Sequence, residues 1–191
     1  ISSDIGNNCA IGNAYPTFEE TRKYLAPGLF GPCGYGLPSV VGAKIGRPDV
    51  PVVGFSGDGA FGIAVNELTA IGREEWPAVT QIVFRNYQWG AEKRNSTLWY
   101  DDNFVGTELD TQVSYAGIAK ACGLQGVIAK TMDELTEALH TAIKDQMENG
   151  KTTLIEAMIN QELGEPFRRD AMKKPVAVAG VSASDMREQV V

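Results

Sequence analysis

One stretch decides the fold: Val50-Pro51-Val52-Val53-Gly54-Phe55-Ser56-Gly57-Asp58-Gly59. Its first six residues are apolar, rich in β-branched side chains and followed by turn residues, which is the pattern of a buried parallel strand. The sequence predicts a tight turn over 57–62 and then a helix over 65–71, where apolar residues recur with helical spacing. A strand, a turn and a helix in this order indicate an α/β fold.

A second strand of the same kind is predicted over 79–84, and Asn86 follows it. Gly59 and Asn86 have 26 residues between them, so Asp58 and Asn86 are expected at the carboxyl ends of two parallel strands, where open α/β sheets bind ligands. A carboxylate, an amide oxygen and a nearby carbonyl suit Mg²⁺, which otherwise keeps water and ligand phosphates. The glycines let backbone N–H groups approach a phosphate at a helix N-terminus. The pattern predicts a metal–diphosphate site.

Strands and helices continue to alternate along the chain. The sequence predicts a helix over 113–122, a strand over 126–129, a helix that begins with a capping box at 131–134 and ends at 149–150, and a strand over 153–158. The core face of the long helix is predicted to comprise Leu135, Ala138, Leu139, Ala142, Ile143 and Met147. The fold class is therefore α/β, with a doubly wound, mostly parallel sheet and helices on both faces. Residues 1–160 are expected to form this domain and residues 161–191 a C-terminal arm.

A glycine-rich segment upstream completes a family resemblance. Gly31-Pro32-Cys33-Gly34-Tyr35-Gly36-Leu37-Pro38, together with Gly57-Asp58-Gly59 and Asn86, resembles the fingerprint of the thiamine-diphosphate enzymes related to pyruvate oxidase, acetolactate synthase and benzoylformate decarboxylase. The resemblance implies Mg²⁺ ligands from Asp58, Asn86 and the Gln88 carbonyl. It also implies that Gly59 and Ala60 present N–H groups to the diphosphate. The full implied cofactor-binding set is Gly6, Asn7, Asn8, Cys33, Gly34, Gly57, Asp58, Gly59, Ala60, Asn86, Gln88, Trp89, Gly90 and Ala91.

Cys33 departs from the family pattern. Relatives place Met, Leu or Ile there, under the cofactor between its two rings, and that side chain holds the cofactor bent. The sulfur of Cys33 is small and polarizable and is expected to serve as the same prop. The alternative interpretation is a glycine-rich helix start with a buried structural cysteine. Pro38 suits the first turn of the following helix.

Few side chains of this chain suit acid–base catalysis. His140, the single histidine, lies in the middle of a predicted helix and is expected to face solvent. A cofactor is therefore expected to supply the difficult chemistry. The family resemblance implies that a glutamate from an upstream domain of a partner subunit activates the cofactor. The full-length enzyme is then a homo-oligomer, a dimer or tetramer, whose upstream domains this chain lacks, and the chain alone is expected to be inactive.

Two segments point to a substrate class. The segments 86–95 and 160–170 resemble the sulfoacetaldehyde acetyltransferase family, which converts sulfoacetaldehyde and phosphate to acetyl phosphate and sulfite. Arg168 and Arg169 are the first candidates for contacts to these anions, and Lys93 and Arg94 come next. One alternative is an acetolactate synthase-like or 2-oxoacid decarboxylase-like enzyme. A second alternative is a non-catalytic diphosphate-binding module.

Composition excludes several other classes. The net charge of −7 over 191 residues argues against nucleic acid as a partner. Three cysteines without a C-x-x-C pair do not suggest a disulfide framework. The sequence shows no apolar segment of membrane-spanning length and no signal-peptide pattern, so we expect no membrane partner and a cytoplasmic location.

Overall fold

The sheet is parallel throughout and places the predicted strand ends on one edge. The computed structural model describes residues 1–73 and 75–162. Within them five strands form one sheet in the order β1-β2-β3-β5-β4, with every neighbouring pair parallel. The strands are β1 (Ser2–Ser3), β2 (Val53–Gly57), β3 (Thr80–Arg85), β4 (Gln125–Ala129) and β5 (Thr153–Met158). The predicted doubly wound α/β fold is confirmed.

Helices cover both faces of this sheet, as the right-handed crossovers of a parallel sheet require. They are α1 (Asn7–Ala14), α2 (Gly36–Gly46), α3 (Asp58–Ile63), α4 (Glu67–Ile71), α5 (Gly90–Trp99), α6 (Tyr115–Ala121) and α7 (Met132–Glu148). None of the helices in the described ranges is long and apolar enough to cross a membrane.

Two apolar cores lie on opposite faces of the sheet. The larger core packs α2, α3, α4 and α6 on one face, with Val40, Phe61 and Leu154 almost fully buried. The smaller core packs α7 on the other face, around Ile155 and Ala142. Because both faces are covered, the strands read as continuous apolar runs rather than as alternating patterns.

Two local predictions are wrong near the strand ends. The segment 57–62 is not a tight turn, because β2 continues to Gly57 and α3 begins at Asp58. The family resemblance also implies a strand and then a loop over residues 1–9, but helix α1 begins at Asn7, so Asn7 and Asn8 belong to a helix. Helix α3 follows β2 without an intervening residue, which leaves no room for a separate turn, whereas three residues separate β1 from α1.

Helix α7 differs from its prediction in two details. Thr131 accepts the N–H of Glu134 at 3.2 Å as a capping box requires, but the Glu134 carboxylate accepts the N–H of Lys130 and not that of Thr131. Met147 is 40% exposed, whereas the polar Gln146 beside it is buried. The Gln146 amide accepts the Val52 N–H and donates to the Val52 carbonyl, both at 2.8 Å. A buried amide satisfied on both sides thus replaces an apolar contact at this end of the helix.

Candidate functional site

A cavity of about 800 Å³ opens at the carboxyl ends of β2 and β3. This volume lies within the usual range for small-molecule sites. The structure brings thirteen of the fourteen predicted cofactor-binding residues to its wall: Gly6, Asn7, Asn8, Cys33, Gly57, Asp58, Gly59, Ala60, Asn86, Gln88, Trp89, Gly90 and Ala91.

Gly34 is the residue that the structure leaves outside this wall. Its N–H donates to Asp4 Oδ1 at 3.1 Å, and the N–H of Gly36 donates to Asp4 Oδ2 at 2.9 Å. Gly34 also has a φ of 85°, a conformation that glycine adopts without strain. Asp4 is fully buried at the end of β1 and therefore fixes the glycine-rich loop to the sheet. The sequence analysis did not single out Asp4.

Asn8 joins the ends of the first two strands. Its Oδ1 accepts the Gly57 N–H at 3.2 Å, and its Nδ2 donates to the carbonyl of Asp4 at 2.9 Å. The side-chain amide is thus engaged in holding β1 and β2 together at the cavity floor. The N–H of Gly57 is used in the same contact and points at Asn8.

The side-chain amide of Asn86 lies between two oxygen atoms beside this floor. One of its two terminal atoms is 3.2 Å from both Asp58 Oδ1 and the Gln88 carbonyl oxygen. With the amide nitrogen in that place Asn86 donates to both oxygens, and with the amide oxygen there the three oxygens need a cation between them. Within the described residues no group of three His, Cys, Asp or Glu side chains could hold a metal ion. An oxygen set of this mixed kind is one that hard divalent cations accept.

The second carboxylate oxygen of Asp58 is fully occupied. Oδ2 accepts N–H groups of Tyr87 at 2.7 Å and Asn86 at 3.1 Å, and the Arg85 guanidinium lies 3.2 Å away. Burial raises the pKa of Asp58 above its ordinary value, while the Tyr87 N–H and the charge of Arg85 act in the opposite direction. A bound cation would favour the ionised form.

Arg85 and Glu156 are charged residues that the sequence analysis missed. Both are buried, and Arg85 Nε lies 3.5 Å from Glu156 Oε1. Glu156 Oε2 also accepts the Ser114 hydroxyl at 2.8 Å and the Ala116 N–H at 3.0 Å at the start of α6. A signal did exist, because Glu156 is a charge inside the predicted strand 153–158 and Arg85 directly follows the predicted strand 79–84, and buried charges are nearly always paired.

Helix α5 turns one face toward the cavity. Gly90, Ala91 and Arg94 all line the wall, as the spacing of one helical face requires. The Lys93 ammonium instead pairs with the carboxylate of Glu108 and lies 5.1 Å from the centre of the Phe104 ring. Of the two basic residues predicted as reserve anion contacts, Arg94 is therefore the one that reaches the cavity.

Trp89 approaches the helix that carries Asp58. A side-chain carbon at Gly59 would lie 2.7 Å from the Trp89 ring, so the close approach requires glycine at this position. The Trp89 N–H donates to the Thr107 carbonyl at 2.7 Å, which fixes the start of α5 against the segment that follows it. Cys33 lies across the cavity as an exposed thiol, so the alternative of a buried structural cysteine is wrong.

Charge within the cavity is mostly negative. Its described lining residues include the carboxylates of Asp58, Glu92 and Glu162 and the guanidinium of Arg94. A diphosphate entering alone would meet a net negative wall, whereas a diphosphate entering with a divalent cation would not. Arg168 and Arg169, the first predicted anion contacts, lie outside the described residues.

The arrangement is typical of an open α/β sheet that binds its ligand beyond the carboxyl ends of its strands. The chain belongs to the thiamine pyrophosphate enzyme family, since residues 4–157 match the model of its C-terminal TPP binding domain. The Asp58, Asn86 and Gln88 region falls within this match.

Individual relatives agree with the family. The chain is 87% identical over its full length to a sulfoacetaldehyde acetyltransferase of Roseovarius nubinhibens, of which it covers 32%. It is 30% identical over 96% of its length to the acetolactate synthase large subunit of Corynebacterium glutamicum, of which it covers 28%. The thiamine diphosphate-dependent 4-hydroxybenzoylformate decarboxylase of Rhodococcus jostii RHA1 superposes with a TM-score of 0.61 and 26% identity, over 74% of this chain and 25% of that one. The chain thus spans about a third of the length of the first of these relatives.

Proposed function

We propose that this chain forms the thiamine diphosphate and Mg²⁺ site of an acetyltransferase that converts sulfoacetaldehyde and phosphate to acetyl phosphate and sulfite. The substrate assignment is supported by the 87% identity to a sulfoacetaldehyde acetyltransferase across the whole chain. Identity to the acetolactate synthase is 30%, so the same comparison favours the acetyltransferase over that alternative.

The place of the Asn86 amide, one atom of which lies 3.2 Å from both Asp58 Oδ1 and the Gln88 carbonyl oxygen, is the observation that carries the metal assignment. Octahedral Mg²⁺ binds oxygens at about 2.1 Å, so neighbouring ligands lie about 3 Å apart. The two spacings of 3.2 Å around Asn86 Oδ1 fit such an edge. Asp58 Oδ1, Asn86 Oδ1 and the Gln88 carbonyl would therefore hold the ion, and the diphosphate and water would supply the remaining ligands. The negative charge of the cavity wall supports a cation there.

The other cavity residues would hold and shape the cofactor. Thiamine diphosphate supplies a carbanion that attacks a carbonyl carbon and a ring that accepts the resulting electrons. Gly59 and Ala60, at the start of α3, are placed to approach the diphosphate. Cys33 projects from the opposite wall and would support the cofactor rings. Trp89 restricts the space between these walls and excludes water from it.

An anion site near Arg94 would complete substrate binding. Arginine holds phosphate or sulfonate through two parallel hydrogen bonds, and α5 brings Arg94 to the cavity. We retain Arg168 and Arg169 as proposed anion contacts from the segment after the last strand. The remaining groups would come from elsewhere in the intact protein, including the proposed activating glutamate of a partner subunit in a dimer or tetramer.

We also propose a cytoplasmic location. Cys9, Cys33 and Cys122 are all free thiols, as is usual in a reducing compartment.

Product analysis tests the proposed reaction. The intact protein, supplied with thiamine diphosphate, Mg²⁺, sulfoacetaldehyde and phosphate, is expected to form acetyl phosphate and sulfite in equal amounts. Chelation of the metal with EDTA should stop both products, and added Mg²⁺ should restore them. Formation of acetolactate from pyruvate, with no acetyl phosphate from sulfoacetaldehyde, would instead establish the synthase alternative.

A matched pair of neighbouring residues tests the anion site. Arg94→Ala should raise the Michaelis constant for phosphate or for sulfoacetaldehyde by about 10–100-fold, because a charge-assisted hydrogen bond contributes about 1.5–3 kcal/mol. Lys93→Ala removes an adjacent charge that faces Glu108 and should leave both constants unchanged. Equal effects of the two substitutions would show that general electrostatics, and not a contact, is responsible.

A further inference from the structure

Arg85 is a buried cation whose two terminal nitrogens both donate hydrogen bonds. It ends β3 and is 1% exposed. Its Nη2 donates to the carbonyl oxygens of Asp110 at 2.6 Å and Val113 at 3.0 Å. The group also lies 4.2 Å from the centre of the Tyr87 ring and 5.0 Å from that of Tyr115. An arginine held on every side is costly to bury and is rarely placed without a specific role.

This arginine acts on one oxygen of Asp58. With Arg85 Nη1 at 3.2 Å and the N–H groups of Asn86 and Tyr87, Asp58 Oδ2 has three donors around it. Oδ1 lies 3.2 Å from the Asn86 amide, which also contacts the Gln88 carbonyl oxygen, and accepts the Gly59 N–H at 3.0 Å. The lone pairs of Oδ2 are used, so a metal ion can meet this carboxylate only through Oδ1.

The same guanidinium holds the backbone that presents Gln88. Two carbonyl oxygens of the segment 107–113 accept hydrogen bonds from Arg85. The same segment runs antiparallel to Gln88, which forms a β-bridge with Glu108. Within it the Thr107 carbonyl accepts the Trp89 N–H at 2.7 Å, and the Leu109 N–H donates to the Tyr87 carbonyl at 2.8 Å. The position of the Gln88 carbonyl therefore depends on a segment that Arg85 fixes.

We propose that Arg85 is a positioning residue for the metal site: it restricts Asp58 to one-oxygen coordination and keeps the Gln88 carbonyl in the ligand set. This inference rests on the proposed Mg²⁺ site. Two buried carboxylates, Asp58 and Glu156, meet this single cation, so the group near the metal retains one net negative charge. A lysine at position 85 would keep the positive charge of the arginine. Its ammonium is a single point charge, however, and could not contact the two carboxylates and the two carbonyl oxygens at once.

The test measures metal binding in the intact protein. Mn²⁺ replaces Mg²⁺, thiamine diphosphate is saturating, and free Mn²⁺ is followed by electron paramagnetic resonance. Arg85→Lys keeps the positive charge and removes the planar guanidinium group that donates in several directions. Arg85→Met combined with Glu156→Gln removes both charges and preserves the net charge of the buried group, so that Glu156 is not left as a second unpaired carboxylate beside Asp58. Arg47→Lys, at an exposed ion pair with Asp49, is the matched control.

Both Arg85 variants should bind Mn²⁺ about 10–100-fold more weakly, the usual cost of losing a partner that orients a metal ligand. The control should match the wild type. Competition with Ca²⁺ gives a readout that a purely structural role would not change. Ca²⁺ accepts two-oxygen carboxylates and more ligands than Mg²⁺. Release of Asp58 Oδ2 should therefore shift the preference of the Arg85 variants toward Ca²⁺.

The outcomes separate the two proposals. Wild-type Mn²⁺ affinity and an unchanged Ca²⁺ preference in Arg85→Lys would overturn the role of Arg85, even if the double variant did not fold. A wild-type protein that bound no Mn²⁺ with thiamine diphosphate present would instead overturn the metal site itself, and the inference about Arg85 with it.

Discussion

Two neighbouring strand ends carry buried aspartates that differ in one respect. Asp4 follows β1 and Asp58 follows β2, and both are at most 1% exposed. The Asp4 carboxylate accepts hydrogen bonds at both oxygens: Oδ1 accepts the N–H groups of Ile5 and Gly34, and Oδ2 accepts the Gly36 N–H and the Ser56 hydroxyl. Asp58 has Oδ2 filled in this way, whereas Oδ1 accepts the Gly59 N–H and also lies 3.2 Å from the Asn86 amide.

The difference shows that burial does not identify a functional carboxylate. Both oxygens of Asp4 accept hydrogen bonds from the protein and thereby hold the glycine-rich loop in place, so Asp4 requires no bound ligand or ion. Asp58 is held in place through Oδ2, while Oδ1 accepts the Gly59 N–H and also borders the Asn86 amide at the cavity. The useful sign is a rigidly fixed carboxylate oxygen beside an amide and a carbonyl that can turn oxygens toward a cation.

Asp58→Asn should have the largest effect, and it should fall on binding. The new amide nitrogen can point at the Asn86 and Gln88 oxygens and donate to them, which replaces the ion and leaves the fold intact. Mg²⁺-dependent binding of thiamine diphosphate, measured by calorimetry on the intact protein, should fall by more than the 10–100-fold typical of an outer partner. Wild-type cofactor affinity in this variant would mean that Asp58 is not a metal ligand.

Asp4→Asn should affect stability rather than metal binding. An amide offers one acceptor oxygen, so its NH₂ group would face the donors on the other side and leave them unpaired. We expect a loss of about 3 kcal/mol in the free energy of unfolding, since hydrogen bonds to a charged group contribute about 1.5–3 kcal/mol each. For a domain of this size the midpoint should fall by about 6–12 °C. Calorimetry of the purified chain would measure this, and an unchanged midpoint would remove the contrast with Asp58.

Cys33 should report on both regions, because it lies in the loop that Asp4 holds and on the cavity that Asp58 serves. Burial raises the pKa of its thiol above 9.0, with smaller contributions from the charges of Asp4 and Glu92. The rate of alkylation should therefore keep rising with pH beyond 9, because the thiolate is the reactive form. Thiamine diphosphate with Mg²⁺ should slow alkylation of Cys33 several-fold and leave Cys122 unaffected, as peptide mass spectrometry would show. Equal protection of both thiols would indicate a general change in the protein.

Asp49 provides an exposed reference and the smallest effect. A hydrogen bond from Arg47 lowers its pKa from 3.8 to about 2. A lowered pKa means that the ion pair contributes above pH 3.8 and is lost as the pH falls toward 2. Carbon NMR should show this carboxyl titrating near 2, and Arg47→Met should return it toward 3.8. The thermal midpoint at pH 7 should not change measurably, because solvent screens exposed pairs. A large change in the thermal midpoint would show that solvent exposure does not predict how much an aspartate contributes to the free energy of unfolding.

The sequence located Asp58 and Asn86 because each follows a local apolar run. The parallel sheet and helices on both faces followed from the same periodicity, and the structure confirms them. Strand ends were displaced by two or three residues at β2, since Gly57 can belong equally to a strand or to a turn. Helix α3 was missed because its first residues, Asp58 and Gly59, are more common in turns than in helices.

The buried charges that hold Asp58 in place could not be predicted from the sequence. Arg85 and Glu156 meet because β3 pairs with β5 in the register that sets Val83 beside Glu156. That pairing joins segments about 70 residues apart, and no local pattern encodes it. The contacts of Asp4 with Gly34 and Gly36 depend in the same way on where the glycine-rich loop returns to the sheet.

The position of β5 in the sheet also sets an order of assembly. It comes last among the described strands, yet it lies between β3 and β4, and in the described part of the chain β4 pairs with β5 alone. During synthesis β1, β2 and β3 can associate first, whereas β4 has no strand to pair with until β5 arrives. Non-local parallel pairing of this kind forms slowly. Because Glu156 arrives on β5, the charge of Arg85 lacks one of its two carboxylates until that step, and the oxygen cluster reaches its final geometry only when the sheet is complete.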